Sequence, residues 1–353
     1  MAELYDIAIV GLGPAGATLA RLISKDFKVL CIDRKKPDSE DSMEGFTKPC
    51  GGLIAPDAQR ELASMGLNIP LSVLADPQTF SVKTVDLKSG LTRDYPRDYI
   101  NANRHRFDMW LVSLIQGADI LFESRVDSIT RQDGVFRLTI QTPDGQREAS
   151  ARRIVGADGA GSIVRRLFFN KKIRQYVAIQ NWYEGVKNPR YCSFFDERLT
   201  DCYAWSKPQD GFTVIGAALP KNKPGERFNT LLERIMPHGF EPLGDPVKVE
   251  ACLVDRPAGF FDYCLEKDGA FLLGEAAGFI SPSSLEGISL ALKSARALAS
   301  ALRTPHPGRT YRRKALKLKI KTTAKLLKVP FMYWPWLRRL VMASGLTSLD
   351  IVE

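Results

Sequence analysis

Three glycines near the start of the chain are spaced so that they could hold the phosphates of a dinucleotide. Gly11, Gly13 and Gly16 form a GxGxxG pattern in GLGPAGA, after one apolar run and at the start of a helical pattern. Such glycines permit a tight turn, close approach of a pyrophosphate and close helix–strand packing, in that order. Asp33 ends the next apolar run, where an acid can accept hydrogen bonds from ribose hydroxyls, and Arg34 follows it. The pattern predicts a site for FAD or NAD, because an acid here favours an unphosphorylated ribose.

Two later segments decide between these cofactors. GADGAGSIVRR begins after an apolar run and contains Gly156, Asp158, Gly159, Ser162 and Arg165. GEAAGFISPSSLEGISLAL follows another apolar run that starts at residue 270. Both segments resemble motifs of the p-hydroxybenzoate hydroxylase-like flavoproteins, and this resemblance implies FAD.

The resemblance also implies roles for individual residues in the second and third motifs. Asp158 belongs to the mid-chain cofactor motif, and Gly274 and Glu275 stand where the family has the acid that binds the ribityl chain. The proline and the loop after it present backbone N–H groups to the flavin pyrimidine edge, which implies Pro282, Gly287 and Ile288. Arg104, in NRHRFDMWL, matches an arginine that lies close to the cofactor in this family.

Two further segments resemble the geranylgeranyl reductase-like branch of the family. KPCGG corresponds to a cysteine-glycine loop beside the flavin, and the resemblance implies cofactor contacts for Cys50, Gly51 and Gly52. YAWSKP corresponds to a substrate-side YxWxFP motif, with Tyr203 and Trp205 as substrate-binding residues and a lysine where the family has phenylalanine. Similarity to a bacterial group of reductase-like flavoproteins extends over nearly the whole chain.

This resemblance implies hydride transfer from the N5 atom of reduced FAD to a double bond of a hydrophobic, isoprenoid or lipid-like substrate. A proton must reach the other carbon, and Cys50, Tyr203 and a bound water are the candidate donors. Cys50 could equally be a small buried thiol, and Tyr203 could be a pocket wall. The alternatives are an aromatic monooxygenase that uses NAD(P)H and O₂, and a non-catalytic flavin-binding protein at a membrane. No second GxGxxG is present, so NAD(P)H would bind transiently, or a carrier protein would deliver electrons.

The net charge of +10 is concentrated near the end of the chain. Residues 309–340 hold eleven Lys and Arg and no Asp or Glu, which leaves −1 for the rest. Lysines recur there at helical spacing, with Leu316, Ile320, Thr323 and Leu327 on another face, before the aromatic VPFMYWPWLRRL. This composition predicts binding to an anionic membrane surface. The alternative is a solvated basic helix that packs its apolar face on the flavin domain; nucleic acid is not expected as a partner.

The elements that must position these residues predict an α/β fold. We expect a Rossmann-type FAD-binding domain from residues 1–75, 101–174 and 265–305 and an interleaved antiparallel substrate-side sheet from residues 76–100 and 175–264. Residues 306–353 should form a basic helical tail. The turn-rich stretch from Glu40 to Pro56 should be an ordered loop near the site. The six cysteines show no CxxC pair or metal-like spacing, which predicts reduced thiols, no metal site and a cytoplasmic protein, peripheral on the inner face of the membrane.

Overall fold

The computed structural model describes residues 3–37 and 48–350, which form an α/β fold with two large sheets. The strands of these residues are β1 (Leu4–Val10), β2 (Val29–Ile32), β3 (Leu53–Ile54), β4 (Ser81–Asp86), β5 (Thr92–Pro96), β6 (Ile100–Asn101), β7 (Ala118–Leu121), β8 (Arg125–Gln132), β9 (Val135–Thr142), β10 (Gly145–Gly156), β11 (Gln175–Tyr183), β12 (Cys192–Phe195), β13 (Ala204–Gln209), β14 (Phe212–Pro220), β15 (Lys248–Asp255), β16 (Glu266–Lys267) and β17 (Ala270–Leu272). Their helices are α1 (Pro14–Ile23), α2 (Pro56–Ala63), α3 (Arg104–Ser113), α4 (Ile163–Phe168), α5 (Pro224–Ile235), α6 (Ile288–Leu302), α7 (Pro307–Ala324), α8 (Val329–Tyr333) and α9 (Pro335–Ser344). Of the loop predicted from Glu40 to Pro56, the part before Lys48 lies outside the described residues.

The first sheet brings the cofactor motifs to one edge. Its order is β16-β17-β10-β1-β2-β7, and β8 and β9 extend it as a meander from the outer half of β10. The pairs that join β17, β10, β1, β2 and β7 are parallel. β1, β2, β17 and the last residues of β10 are largely buried, as is usual where helices cover a parallel sheet. Val10 lies opposite both Ile32 and Gly156, and Gly156 lies opposite Leu272. The loops that follow β1, β2, β10 and β17 therefore start side by side, at the edge where open α/β sheets bind ligands.

The second sheet has the order β15-β11-β14-β13-β12-β4-β5. It is antiparallel, as expected, except that β12 and β4 are parallel. This exception arises because the β4–β5 hairpin comes from an earlier excursion of the chain and adds to the edge of strands that follow much later. β3 and β6 form a separate two-stranded pair, which ties residues 53–54 to residues 100–101.

The helical end of the chain packs against α6 and β16 and, farther along, against β4 of the second sheet, through a different face from the one its sequence pattern indicates. The apolar residues Leu316, Ile320 and Leu327 are exposed. The buried positions are instead Tyr311, Ala315, Thr322, Tyr333, Arg338 and Met342. Arg338 is buried because its guanidinium lies 2.8 Å from the Asp86 carboxylate of β4. Across the described segments, no helix has both the length and the apolar character that crossing a bilayer would require.

Candidate active site

The glycine loop between β1 and α1 leaves an open space on its cavity side. Gly11 has φ +96°, and a Cβ there would lie 2.7 Å from the carbonyl oxygen of Ala157. A Cβ on Gly16 would collide with the carbonyl of Gly11. A Cβ on Gly13, by contrast, would meet no atom within 4 Å. Packing thus requires two of the glycines, while the third faces a space that a pyrophosphate can enter beside the N-terminus of α1.

Asp33 lies beside this loop, at the end of β2, as the sequence predicts. Its carboxylate accepts hydrogen bonds from the backbone N–H of Leu12 and, at 2.8 Å, from that of Lys35. The Lys35 ammonium lies 3.4 Å from the same carboxylate. Arg34 is exposed and lines the same cavity. The remaining lone pairs of the Asp33 carboxylate can accept ribose hydroxyls.

Asp158 offers the clearest single place for a polar group of the cofactor. Its Oδ2 accepts a hydrogen bond from the backbone N–H of Ile163 at 2.8 Å. Its Oδ1 is buried and has no hydrogen-bond partner among the described residues. Burial raises the pKa of this carboxyl group. A buried acceptor without a donor is costly, and the hydroxyls of bound FAD are donors of the right kind.

Glu275, predicted to contact the ribityl chain, is held by other protein groups. One carboxylate oxygen accepts from the backbone N–H of Asp255 at 2.8 Å, and the other accepts from the ammonium of Lys48. Burial lowers the pKa of Lys48, but Glu275 more than offsets this, so the lysine stays charged. Lys48 therefore presents an additional hydrogen-bond donor beside the mid-chain motif, and a ribityl contact of Glu275 stays a prediction.

The cysteine-glycine loop (residues 50–52) lines the cavity with its first two residues. Gly52 turns away, with φ +64°, and a Cβ on it would collide with the carbonyl of Ala102. Arg104 begins α3 and donates through Nε to Asp108 at 2.8 Å. Burial alone would lower the pKa of Arg104. Asp108 and a hydrogen bond with Cys50 outweigh burial, so the net shift of this pKa is upward. Cys50 therefore lies next to a permanent positive charge.

The loop of residues 281–287, which precedes α6, is held by side chains that donate hydrogen bonds to three of its consecutive backbone carbonyls. The carbonyl of Pro282 accepts from Arg256 at 2.9 Å, that of Ser283 from Tyr333 at 2.5 Å, and that of Ser284 from Tyr203 at 2.8 Å. The donors come from the end of the second sheet, from the helical tail and from the start of β13. The tail is thus part of the scaffold of this loop.

This loop places its two ends differently relative to the cavity. Gly287 caps α6 and Ile288 begins it, and both line the cavity. Pro282 is buried behind the lining, where Arg256 fixes its carbonyl. The N–H groups available to a flavin are therefore those around the start of α6.

A single cavity of about 660 Å³ joins the two sheets and collects most of the predicted site. Gly16, Gly52 and Pro282 lie behind its wall. The predicted residues that line it are Gly11, Gly13, Asp33, Arg34, Cys50, Gly51, Arg104, Asp158, Tyr203, Trp205, Gly274, Glu275, Gly287 and Ile288. The sequence motifs therefore converge on one site between the cofactor sheet and the substrate-side sheet.

Some residues of the site carried no assignment from the sequence. Lys207 and Cys252 line the cavity, and Tyr99 and Tyr191 complete its aromatic wall. Burial raises the pKa of Cys252 to about 11, so its thiol stays protonated. A signal existed for Lys207, because strand alternation places it on the same face as Tyr203 and Trp205. The other three lie in unremarkable stretches of sequence.

The glycine cradle and the unpartnered Asp158 oxygen fit FAD. A family model described as FAD binding domain matches residues 4–237. Protein CbrA of Escherichia coli O6:H1 is 46% identical over 352 residues, which cover 98% of this chain and 95% of CbrA. The chain belongs to the FAD-binding flavoproteins, in the family named CbrA. The motif-based resemblance is thus confirmed, and FAD-dependent oxidoreductases and monooxygenases share this domain.

Solved structures show the same fold at low sequence identity. A geranylgeranyl bacteriochlorophyll reductase-like protein from Thermoplasma acidophilum is 18% identical, with a TM-score of 0.73, covering 97% of this chain and 88% of that one. The p-nitrophenol 4-monooxygenase PnpA from Pseudomonas putida is 15% identical, with a TM-score of 0.69, covering 98% and 93%. The fold is therefore common to proteins described as reductase-like and as monooxygenases.

Proposed function

We propose that the protein reduces carbon–carbon double bonds of a hydrophobic, isoprenoid-type substrate. The observation that carries this proposal is an aromatic wall in which the hydroxyls of two tyrosines are already hydrogen-bonded within the protein. Tyr203 donates to the Ser284 carbonyl, and Tyr99 donates to Glu286. Small and aliphatic side chains complete the wall, namely Ala178, Ala218, Leu253, Ile280 and Leu285. Such a wall offers mainly ring faces and alkyl groups, with the indole N–H of Trp205 as one donor that has no partner among the described residues, which suits a largely apolar ligand.

The description of the Thermoplasma protein as geranylgeranyl bacteriochlorophyll reductase-like supports the same substrate class. Bound FAD, once reduced, supplies a hydride at N5. We assign the accompanying proton to Cys50, which is half-buried in the cavity wall beside Arg104. Tyr203 is the weaker donor, because burial raises its pKa well above the usual value and its proton is already given to a carbonyl. Its role in this proposal is to shape the wall.

The substitution Cys50→Ser should slow the half-reaction with substrate by about 10²-fold, the lower range for loss of a general acid. The measurement is anaerobic reoxidation of the reduced holoprotein by geranylgeranyl-type substrates, followed by flavin absorbance and by the mass gain of the product. Cys264→Ser is the matched control, because Cys264 is also half-buried but lies outside the cavity lining. Equal rates in both variants would remove Cys50 from the reaction.

The same experiment separates reduction from oxygenation. We propose NAD(P)H, bound in transit, or an electron-carrier protein as the electron source, and stopped-flow reduction with each donor identifies it. Reoxidation by an alkene without oxygen supports the proposed function. Substrate-dependent oxygen consumption with NAD(P)H, and no anaerobic reoxidation, would instead assign the protein to the aromatic monooxygenases. Holoprotein that no donor reduces would indicate a non-catalytic flavin-binding protein.

We also propose that the tail of residues 309–340 docks on an anionic membrane surface at the inner face. Its exposed side carries aromatic and aliphatic groups between lysines, with Leu327 75% and Trp336 63% exposed. The tail buries other residues against the protein, so these groups are available without any unfolding. Exposed apolar side chains flanked by cations fit the interface of an anionic bilayer, where each cation contributes about 1 kcal/mol.

Reversing three exposed tail charges should weaken binding to anionic vesicles by at least about tenfold, since about 1 kcal/mol per cation is lost. The variant is Lys314→Glu/Lys317→Glu/Lys321→Glu, and the assay is co-sedimentation with phosphatidylglycerol vesicles and with phosphatidylcholine vesicles. Lys187→Glu, at an exposed position outside the tail, is the control. Negligible and equal binding of the wild type to both vesicle types would contradict the proposal.

A further inference from the structure

Lys207 is a fully buried lysine in the cavity wall whose hydrogen-bond partners, among the described residues, are neutral. It lies in β13, and its side chain is 0% exposed. Its Nζ donates to the carbonyl of Gly51 at 2.5 Å and to Oδ1 of Asn101 at 2.6 Å. Within the described residues, no carboxylate lies within ion-pair distance of this ammonium. A buried cation with only neutral acceptors is expensive, so such a residue needs a specific use.

The two acceptors show what the ammonium holds together. Gly51 belongs to the cysteine-glycine loop, and the backbone of Gly52 already accepts from Ala102 next to the β3–β6 pair. Asn101 is fixed in orientation, because its amide nitrogen donates to the carbonyl of Pro77 at 2.8 Å. Its oxygen must therefore face Lys207. The lysine thus joins the loop that lines the cofactor cavity to the wall formed by the substrate-side sheet.

The charge of this group can change near neutral pH. Burial lowers the pKa of Lys207 to about 7, while Cys50 and Asp210 act in the opposite direction. Cys50 lies on the loop and Asp210 directly follows β13. Asp255, whose pKa burial raises to about 6, titrates below this range. A neutral amine donates weaker hydrogen bonds than an ammonium, so the loop is held less firmly once the proton is lost.

We propose that Lys207 is a positioning residue whose ammonium holds the cysteine-glycine loop in the form that binds FAD, so that flavin affinity depends on the charge at position 207. This inference rests on the proposed function only in that the cavity holds FAD. It requires no contact between the lysine and the cofactor. The direction follows from the geometry, because an uncharged amine holds the Gly51 carbonyl less firmly than the ammonium does.

The experiment measures FAD affinity by fluorescence titration of the apoprotein between about pH 6.5 and about pH 8.5, a range that spans the lysine's titration. We expect the wild type to bind FAD more weakly as the pH rises. Lys207→Met should bind about tenfold more weakly at the lower pH and show no further decline. Asn101→Asp should move the decline to higher pH, because a carboxylate favours the ammonium. A purely structural role would not produce this displacement.

Lys187→Met provides the control of an exposed lysine, with the affinity and pH profile of the wild type. A Lys207→Met variant with wild-type affinity and profile would overturn the inference and leave the FAD assignment intact. Absence of FAD binding in every protein, including the wild type, would overturn both. Should Lys207→Met fail to fold, a flat wild-type profile or an unmoved profile in Asn101→Asp would still contradict the inference.

Discussion

Replacing Gly13 by aspartate should abolish FAD binding while leaving the apoprotein at least as stable as the wild type. Gly13 caps α1 with φ −69°, a conformation that any residue adopts, and a Cβ there meets no atom within 4 Å. An aspartate at this position can accept hydrogen bonds from the first turn of the helix, which favours the helix slightly over glycine. The same carboxylate fills the space for the pyrophosphate and repels it. We expect the dissociation constant for FAD to rise at least about 100-fold, or about 2.7 kcal/mol.

Gly225→Asp is the matched control for this substitution. Gly225 also lies in the first turn of a helix, α5, with open space around its Cβ, and it lies outside the cavity lining. Fluorescence titration with FAD and thermal unfolding of the apoprotein should be measured on both variants. The control should bind FAD normally, with a small change in stability. A Gly13→Asp protein that retains wild-type affinity would show that the glycine loop does not hold the cofactor.

The glycine loop was predictable because its requirements are local. The turn at Gly11 needs a positive φ, and Gly16 needs the absence of a side chain, so residue type and spacing alone indicate the conformation. The common edge of the sheet follows from parallel strand pairing, which places the ends of the apolar runs together. The motifs at Asp158 and Gly274 each follow such an apolar run, and the structure places both motifs beside the glycine loop.

The remaining contacts depend on partners that are distant in sequence. Glu275 is bound by Lys48, 227 residues earlier, so its spacing within GEAAG could not show that its carboxylate is occupied. Strand alternation places Lys207 on the cavity side, but only the fold shows that its acceptors are neutral. In the tail, the choice of buried face depends on where Tyr311 meets the carbonyl of Leu272. Helical periodicity identifies the faces without determining which one packs.

Replacing Arg165 by methionine should lower the free energy of unfolding by about 3–5 kcal/mol, the cost of leaving a buried charge without its partner. The Arg165 guanidinium lies 2.6 Å from Oδ2 of Asp255, which is 0% exposed. It also donates to the carbonyl of Ala160 at 2.5 Å and to that of Ala276 at 3.0 Å. One side chain therefore joins the mid-chain motif, the third motif and the end of the second sheet.

The stability that Arg165→Met loses should depend on pH, and the direction of this dependence follows from the pKa of Asp255. Burial raises the pKa of Asp255 from 3.8 to about 6, although Arg165 opposes this. An acid with a higher pKa in the folded state binds its proton more tightly there, so the free energy of unfolding falls as pH rises from about 4 to about 6. Without Arg165 the pKa of Asp255 in the folded state rises further. The pH range over which the free energy of unfolding falls then extends to higher pH. The variant should therefore lose less stability at about pH 5, where Asp255 is protonated, than at about pH 7.5.

Urea unfolding of the wild type, Arg165→Met and Arg165→Met/Asp255→Asn at both pH values checks this expectation. The double variant should recover stability at the higher pH, because a neutral amide no longer leaves a charge buried. An equal loss at both pH values, with no recovery in the double variant, would mean that the carbonyl contacts of Arg165 matter more than its ion pair. FAD affinity should be lower than that of the wild type in Arg165→Met and in the double variant, even where the stability of the double variant returns. The Ala276 carbonyl loses its Arg165 donor there and the Ala160 carbonyl keeps only that of Gln175, so Arg165 no longer joins the two cofactor motifs.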